Sequence, residues 1–175
     1  MSNIFSKSFL MVLAVLLSLS ACMEDLELPP EPVIEFVSLS ATNIDEFESL
    51  ILTISFEDGD GDIGYGSGVT RDCADSLVCD FESEISCFND PFWNAILIDM
   101  RDSCFVPPYI FPDIQDGNNS AVFGEIELVV PPIFCKNFGC PTCETDTLVY
   151  QVLIKDRAQN ISNPVFTDTI IINCQ

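Results

Sequence analysis

The run SLILTISFED, Ser49–Asp58, decides the fold. It is apolar and β-branched, the composition that suits a pleated strand, and it stops at an acidic, glycine-rich stretch that favours a turn. The same signature recurs on either side. Upstream, VIEFVSLSAT (Val33–Thr42) alternates apolar and polar residues; downstream, AVFGEIELVVPP (Ala121–Pro132) alternates again. DTLVYQVLIKD (Asp146–Asp156) and VFTDTIIIN (Val165–Asn173) close the chain, and WNAILIDMRD (Trp93–Asp102) supplies a strand in the middle. No comparable segment repeats with the 3.6-residue period of a helix. Strands at this spacing, bounded by Gly, Pro, Asn and Asp, predict an all-β chain folded as a single antiparallel β-sandwich over 33–175. Residues of about 65–92 carry three cysteines, many acids and little alternation, which reads as a cysteine-rich insertion.

Directly after the deciding strand comes FEDGDGDIG, with Asp58, Asp60 and Asp62 in strict alternation. Calcium takes six to eight oxygen ligands, mostly carboxylates and carbonyls, and the interleaved glycines let the backbone fold tightly enough for three carboxylates to converge. The loop is not an EF-hand. Ile63 stands at its sixth position and Val69 at its twelfth, where glycine and a bidentate glutamate are needed, and no helices flank it. In an immunoglobulin-like sandwich the loop after the second strand and the loop after the penultimate strand share one end. That geometry predicts Asp156 and Asn160, from KDRAQNISN, beside the aspartate triplet, with Glu57 also in reach. Carboxylates crowded at one tip repel unless a cation neutralises them, so calcium is the expected cofactor. The simpler alternative is a solvated glycine–aspartate turn.

The first 22 residues read as an export signal. Lys7 precedes an apolar run from Phe9 to Leu19, too short for a stable membrane span, and LSAC ends at Cys22. Residues 1–21 form the expected signal peptide, Cys22 the expected lipidation site, and 22–32, acidic and proline-rich, an extended tether. Removing 1–21 leaves five basic against 28 acidic residues, a formal charge of −23. That balance repels phosphate backbones, which excludes nucleic acid as a natural ligand, and it attracts cations. With Cys22 set aside, Cys73, Cys79, Cys87, Cys104, Cys135, Cys140, Cys143 and Cys174 remain, an even count that suits structural disulfides in an oxidising compartment. Eight cysteines allow about 105 pairings, which sequence cannot resolve. The competing reading, a zinc site prompted by CKNFGCPTC, lacks a second C-x-x-C pair.

Taken together, LSAC, FEDGDGDIG after an apolar strand, and VLIKDRAQNISN before a last strand resemble a broad group of Bacteroidetes-type surface lipoproteins with immunoglobulin-like or PKD-like domains. DRAQN is similar to the D-x-A-G-N turn of bacterial immunoglobulin-like domains, with Gln159 where that pattern has glycine. The resemblance implies an immunoglobulin-like sandwich, a membrane anchor at Cys22, and, through Glu24, Asp25 and Glu27, display on the outer face of the outer membrane. It names no ligand.

The chain contains no histidine, which excludes triads and metal sites that require one. No nucleophile elbow, phosphate loop or dinucleotide fingerprint occurs. A carboxylate-pair hydrolase is the residual enzymatic alternative, and a non-enzymatic surface or binding protein the expectation. Aromatic residues among prolines, Phe92, Trp93 and Tyr109 foremost, form a possible platform for a glycan or protein ligand; the competing reading places Trp93 and most of the phenylalanines in the core.

Overall fold

A computed structural model describes residues 28–65, 93–106, 108–114, 121–136 and 142–174. Among these residues the regular structure is entirely β, in ten strands: β1 (Val33–Leu39), β2 (Asn43–Asp45), β3 (Leu50–Asp58), β4 (Ala95–Asp99), β5 (Cys104–Phe105), β6 (Val122–Val130), β7 (Thr145–Leu148), β8 (Tyr150–Ile154), β9 (Val165–Phe166) and β10 (Ile170–Asn173). The signal segment 1–21, Cys22, the first part of the tether and nearly all of the insertion lie outside the described residues.

The strands form three sheets. The first has the order β1-β3-β6, antiparallel throughout, with Val33 opposite Glu57 and Glu57 opposite Phe123 at one end, and Leu50 opposite Val130 at the other. The other two are β5-β4-β8-β9 and β2-β10-β7. These two sheets run into each other, because Val149 alone separates β7 from β8 and Thr167–Thr169 separate β9 from β10. Thr167 closes the gap: its amide donates to the Tyr150 carbonyl at 3.0 Å, and its hydroxyl accepts from the Tyr150 amide at 3.0 Å. The β10–β2 pair is parallel, with Ile172 opposite Ile44.

Strand parity explains what fills the space between the sheets. Along β3, Leu50, Leu52, Ile54 and Phe56 point inward and are buried, while Ile51 and Glu57 point outward. Leu97, Val152 and Ile154 from the second sheet and Ile170 and Ile172 from the third share one continuous core with them. Burying each such aliphatic side chain contributes about 1.5–3 kcal/mol. Ile63, the residue that disqualified the loop as an EF-hand, is fully buried in this core and anchors the aspartate loop to it.

Register places the two ends apart. β3 finishes at Asp58 and β8 at Ile154 at one end of the molecule, whereas β6 and β10 both finish at the other. At that far end Cys135 and Cys174 are joined, with Cα atoms 5.9 Å apart. Cys104 and Cys143 are also disulfide-bonded. These four sulfurs are therefore not zinc thiolates, which removes Cys135 and Cys143 from the alternative metal reading. Cys73, Cys79, Cys87 and Cys140 lie outside the described residues.

Candidate metal centre

The strand parity that sends Leu52, Ile54 and Phe56 inward also sends Asp58 inward, at the very end of β3. Asp58 is 0 % exposed, as is Asp156 just beyond the end of β8. Between Asp58 and Tyr65 the chain bends sharply, with Gly61 at a φ of 67° and Gly64 at 92°, left-handed conformations that glycine adopts without steric cost. The outcome is that Asp58, Asp60, Asp62 and Asp156 each bring one carboxylate oxygen within 4.8 Å of the others. Oxygens bound to one calcium at 2.3–2.6 Å stand no more than about 5 Å apart, so the four could hold a single ion.

Backbone donors fix one oxygen of Asp58 and one of Asp62 and leave the other bare. The Asp62 amide donates to Asp58 Oδ2 at 2.8 Å, and the Ala158 amide donates to Asp62 Oδ2 at 3.0 Å. Asp58 Oδ1 and Asp62 Oδ1 are buried with no hydrogen-bond partner. An ionised oxygen buried in this way costs several kcal/mol unless a cation or a proton compensates it. Burial first, and then the charges of Asp60, Asp62 and Asp156, push the Asp58 carboxyl up to about 6 against the lowering effect of the Asp62 amide. Burial and neighbouring carboxylates raise Asp62 and Asp156 as well. A site tuned in this direction disfavours bare negative charge and favours a bound cation.

The expected ligand set divides. Asp58, Asp60, Asp62 and Asp156 converge. Glu57 does not: its side chain lies on the outer face of β3, opposite in parity to Asp58, and it is exposed. Asn160 supports Asp156 from behind, its amide donating to Asp156 Oδ1 at 2.7 Å and its side-chain nitrogen to Oδ2 at 2.8 Å. Gln159, in the glycine position of the D-x-A-G-N pattern, adopts that residue's left-handed backbone at φ 73°. Its side chain donates to the Tyr65 hydroxyl at 3.0 Å, and Tyr65 donates in turn to the Asp156 carbonyl at 3.2 Å. Gln159 and Tyr65 thus join the two loops, a role that spacing alone did not reveal.

Of the two readings of the aromatics, the core one holds for Trp93 and the platform falls with it. Trp93 is 0 % exposed, with the Lys155 ammonium 4.2 Å from its ring centroid, so it is an interior residue and offers no stacking surface. Tyr109 is half-buried and its hydroxyl donates to the Val129 carbonyl at 2.9 Å. Phe92 lies outside the described residues. Among the described residues the exposed aromatics are others: Phe123 on the outer face of β6, Phe166 in β9, and Phe47 with Phe134, packed edge to face at the disulfide end.

No family model matches the chain, and no curated protein or solved structure matches it either. The centre is therefore read from its own chemistry: four carboxylates, no histidine and no thiolate, a donor set of hard oxygens that suits calcium over zinc or copper.

Proposed function

We propose that the chain is a non-enzymatic, lipid-anchored surface protein whose immunoglobulin-like β-sandwich is stabilised by one calcium ion at Asp58, Asp60, Asp62 and Asp156. The observation that carries the metal reading is Asp58, fully buried, with Oδ1 lacking a hydrogen-bond partner inside a cluster of three other carboxylates. Support for the immunoglobulin-like assignment comes from the strand order, in which β1-β3-β6 shares one core with sheets where β8 pairs with β4 and the last strand runs parallel to β2. Lipidation at Cys22 and display on the outer membrane rest on LSAC and on the acids that follow it. The role is structural or ligand-presenting, and in its favour the four carboxylate oxygens lie within 4.8 Å of one another, closer than the roughly 5–9.5 Å of a glycosidase pair.

Calcium titration followed by thermal unfolding of the oxidised protein tests the site. The expected result is saturable binding and a calcium-dependent rise in Tm, abolished in Asp60→Ala, because a ligand that binds only the native state stabilises it by mass action. Absence of binding and of any shift at millimolar calcium would return the loop to a glycine–aspartate turn.

A further inference from the structure

The metal loop touches a third segment that sequence did not connect to it. Gly59, between Asp58 and Asp60, donates its amide to the Pro29 carbonyl at 3.0 Å. A Cβ on Gly59 would lie 2.4 Å from both the Leu28 and the Pro29 carbonyl oxygens, so backbone is laid against backbone with no room for a side chain. A few residues further on, the amide and carbonyl of Ile34 are both taken by the side chain of Asn163, at 2.9 Å and 2.8 Å. The strap Leu28–Pro30 is therefore held at two points, its root by Asn163 and its outer part by the loop that carries the carboxylates.

We infer that strap and loop form one calcium-controlled latch. The inference rests on the calcium reading above and deepens it. Asp58 and Asp60 flank the amide that holds the strap, so the ion that draws their carboxylates together also fixes that amide. Without the ion the carboxylates repel, the loop between Asp58 and Ile63 opens, and the strap loses its seat while Asn163 keeps β1 in place. Coupling of this kind is reciprocal: whatever calcium contributes to strap docking, the docked strap contributes to calcium affinity. The occupied state holds the chain's approach to the sandwich in one direction, and the empty state leaves it free to swing about Ile34. Calcium concentration then sets how the domain is presented relative to whatever precedes residue 28.

Amide hydrogen exchange and calcium titration on the full oxidised chain test the latch, with calcium alone as the probe. In the wild type, the amide of Gly59, whose acceptor is the Pro29 carbonyl, should exchange slowly in calcium and faster in chelator, while that of Ile34, held by Asn163, is unchanged. Gly59→Ala, which removes no carboxylate, should free the strap in calcium and weaken calcium binding on the order of 5-fold or more. A Pro29→Gly/Pro30→Gly variant loosens the strap without touching the loop, and should shift affinity in the same direction even if Gly59→Ala folds poorly. Unchanged calcium affinity in both variants, or Gly59 exchange in the wild type that ignores calcium, overturns the latch and leaves the metal site standing. No calcium binding by the wild type overturns both.

Discussion

Asp58 shows how one residue sets the behaviour of the site. Its carboxyl stands at about 6 in the folded protein against 3.8 for the unperturbed group. Between those values the metal-free folded state binds more protons than the unfolded chain, so stability falls as pH rises through the window and increases as pH is lowered. Metal-free protein is thus expected to unfold at a higher temperature at pH 5 than at pH 7. With calcium the sign reverses, because protons compete with the ion, and the calcium-induced rise in Tm should shrink below about pH 6. In Asp58→Asn both effects should be lost: chelator at pH 7 leaves the variant at least as stable as the wild type, and calcium no longer helps it. Calorimetry across pH 4.5–7.5 with and without chelator reads all of these outcomes. The triplet itself was legible in sequence, since strict alternation between glycines has few other uses. Separating Glu57 from Asp58 needed the inward parity of Leu52, Ile54 and Phe56 carried two residues further. The part played by Asn160 depends on the direction of its amide, which sequence does not encode.

At the level of elements, the strands visible as apolar or alternating runs are the long ones, β1, β3, β4 and β6, together with the two interrupted runs that became β7–β8 and β9–β10. What could not be read is β2, three residues whose place depends on pairing with β10, and the breaks at Val149 and Thr167–Thr169, which tertiary contacts impose. An ion-pair network joining β4 to β7 was equally hidden. Arg101 donates to both oxygens of Asp99 and to Asp146 Oδ2 at 2.6 Å, and Lys136 reaches Asp99 at 2.8 Å. Burial would raise Asp99, but hydrogen bonds from Arg101 and Lys136 outweigh it and hold the group below its ordinary value; Asp146 is lowered likewise by the Lys136 amide and Arg101. Arg101→Ala leaves Asp99, only 3 % exposed, with one cation in place of two. Because Lys136 still compensates Asp99, urea unfolding should show a loss smaller than the about 3–5 kcal/mol of a fully uncompensated buried charge. Arg101→Lys should recover only part of it, since an ammonium cannot reproduce the paired guanidinium contacts.

The whole molecule is clamped at opposite ends, by the carboxylate centre where β3 and β8 finish and by the Cys135–Cys174 bridge where β6 and β10 finish. Disulfide pairing was beyond the sequence because cysteine spacing does not determine which ends of a sandwich meet, whereas register does. Cys135 and Cys174 are 39 residues apart in sequence, a closure that in the chain-entropy account stabilises the fold by about 4 kcal/mol. The double variant Cys135→Ser/Cys174→Ser should therefore lose stability of that order in guanidinium unfolding while keeping its strand content by circular dichroism. Distance between the clamps makes a second claim testable. Sites with no shared partners contribute additively, so the free-energy gain from saturating calcium should be the same in this variant as in the wild type. A calcium effect that disappears with the disulfide would mean that the two ends fold as one coupled unit, with strain passed along β3 and β6 through the core. Equal effects would mean that each end closes its own part of the sandwich, and that the calcium end can open while the disulfide end stays shut.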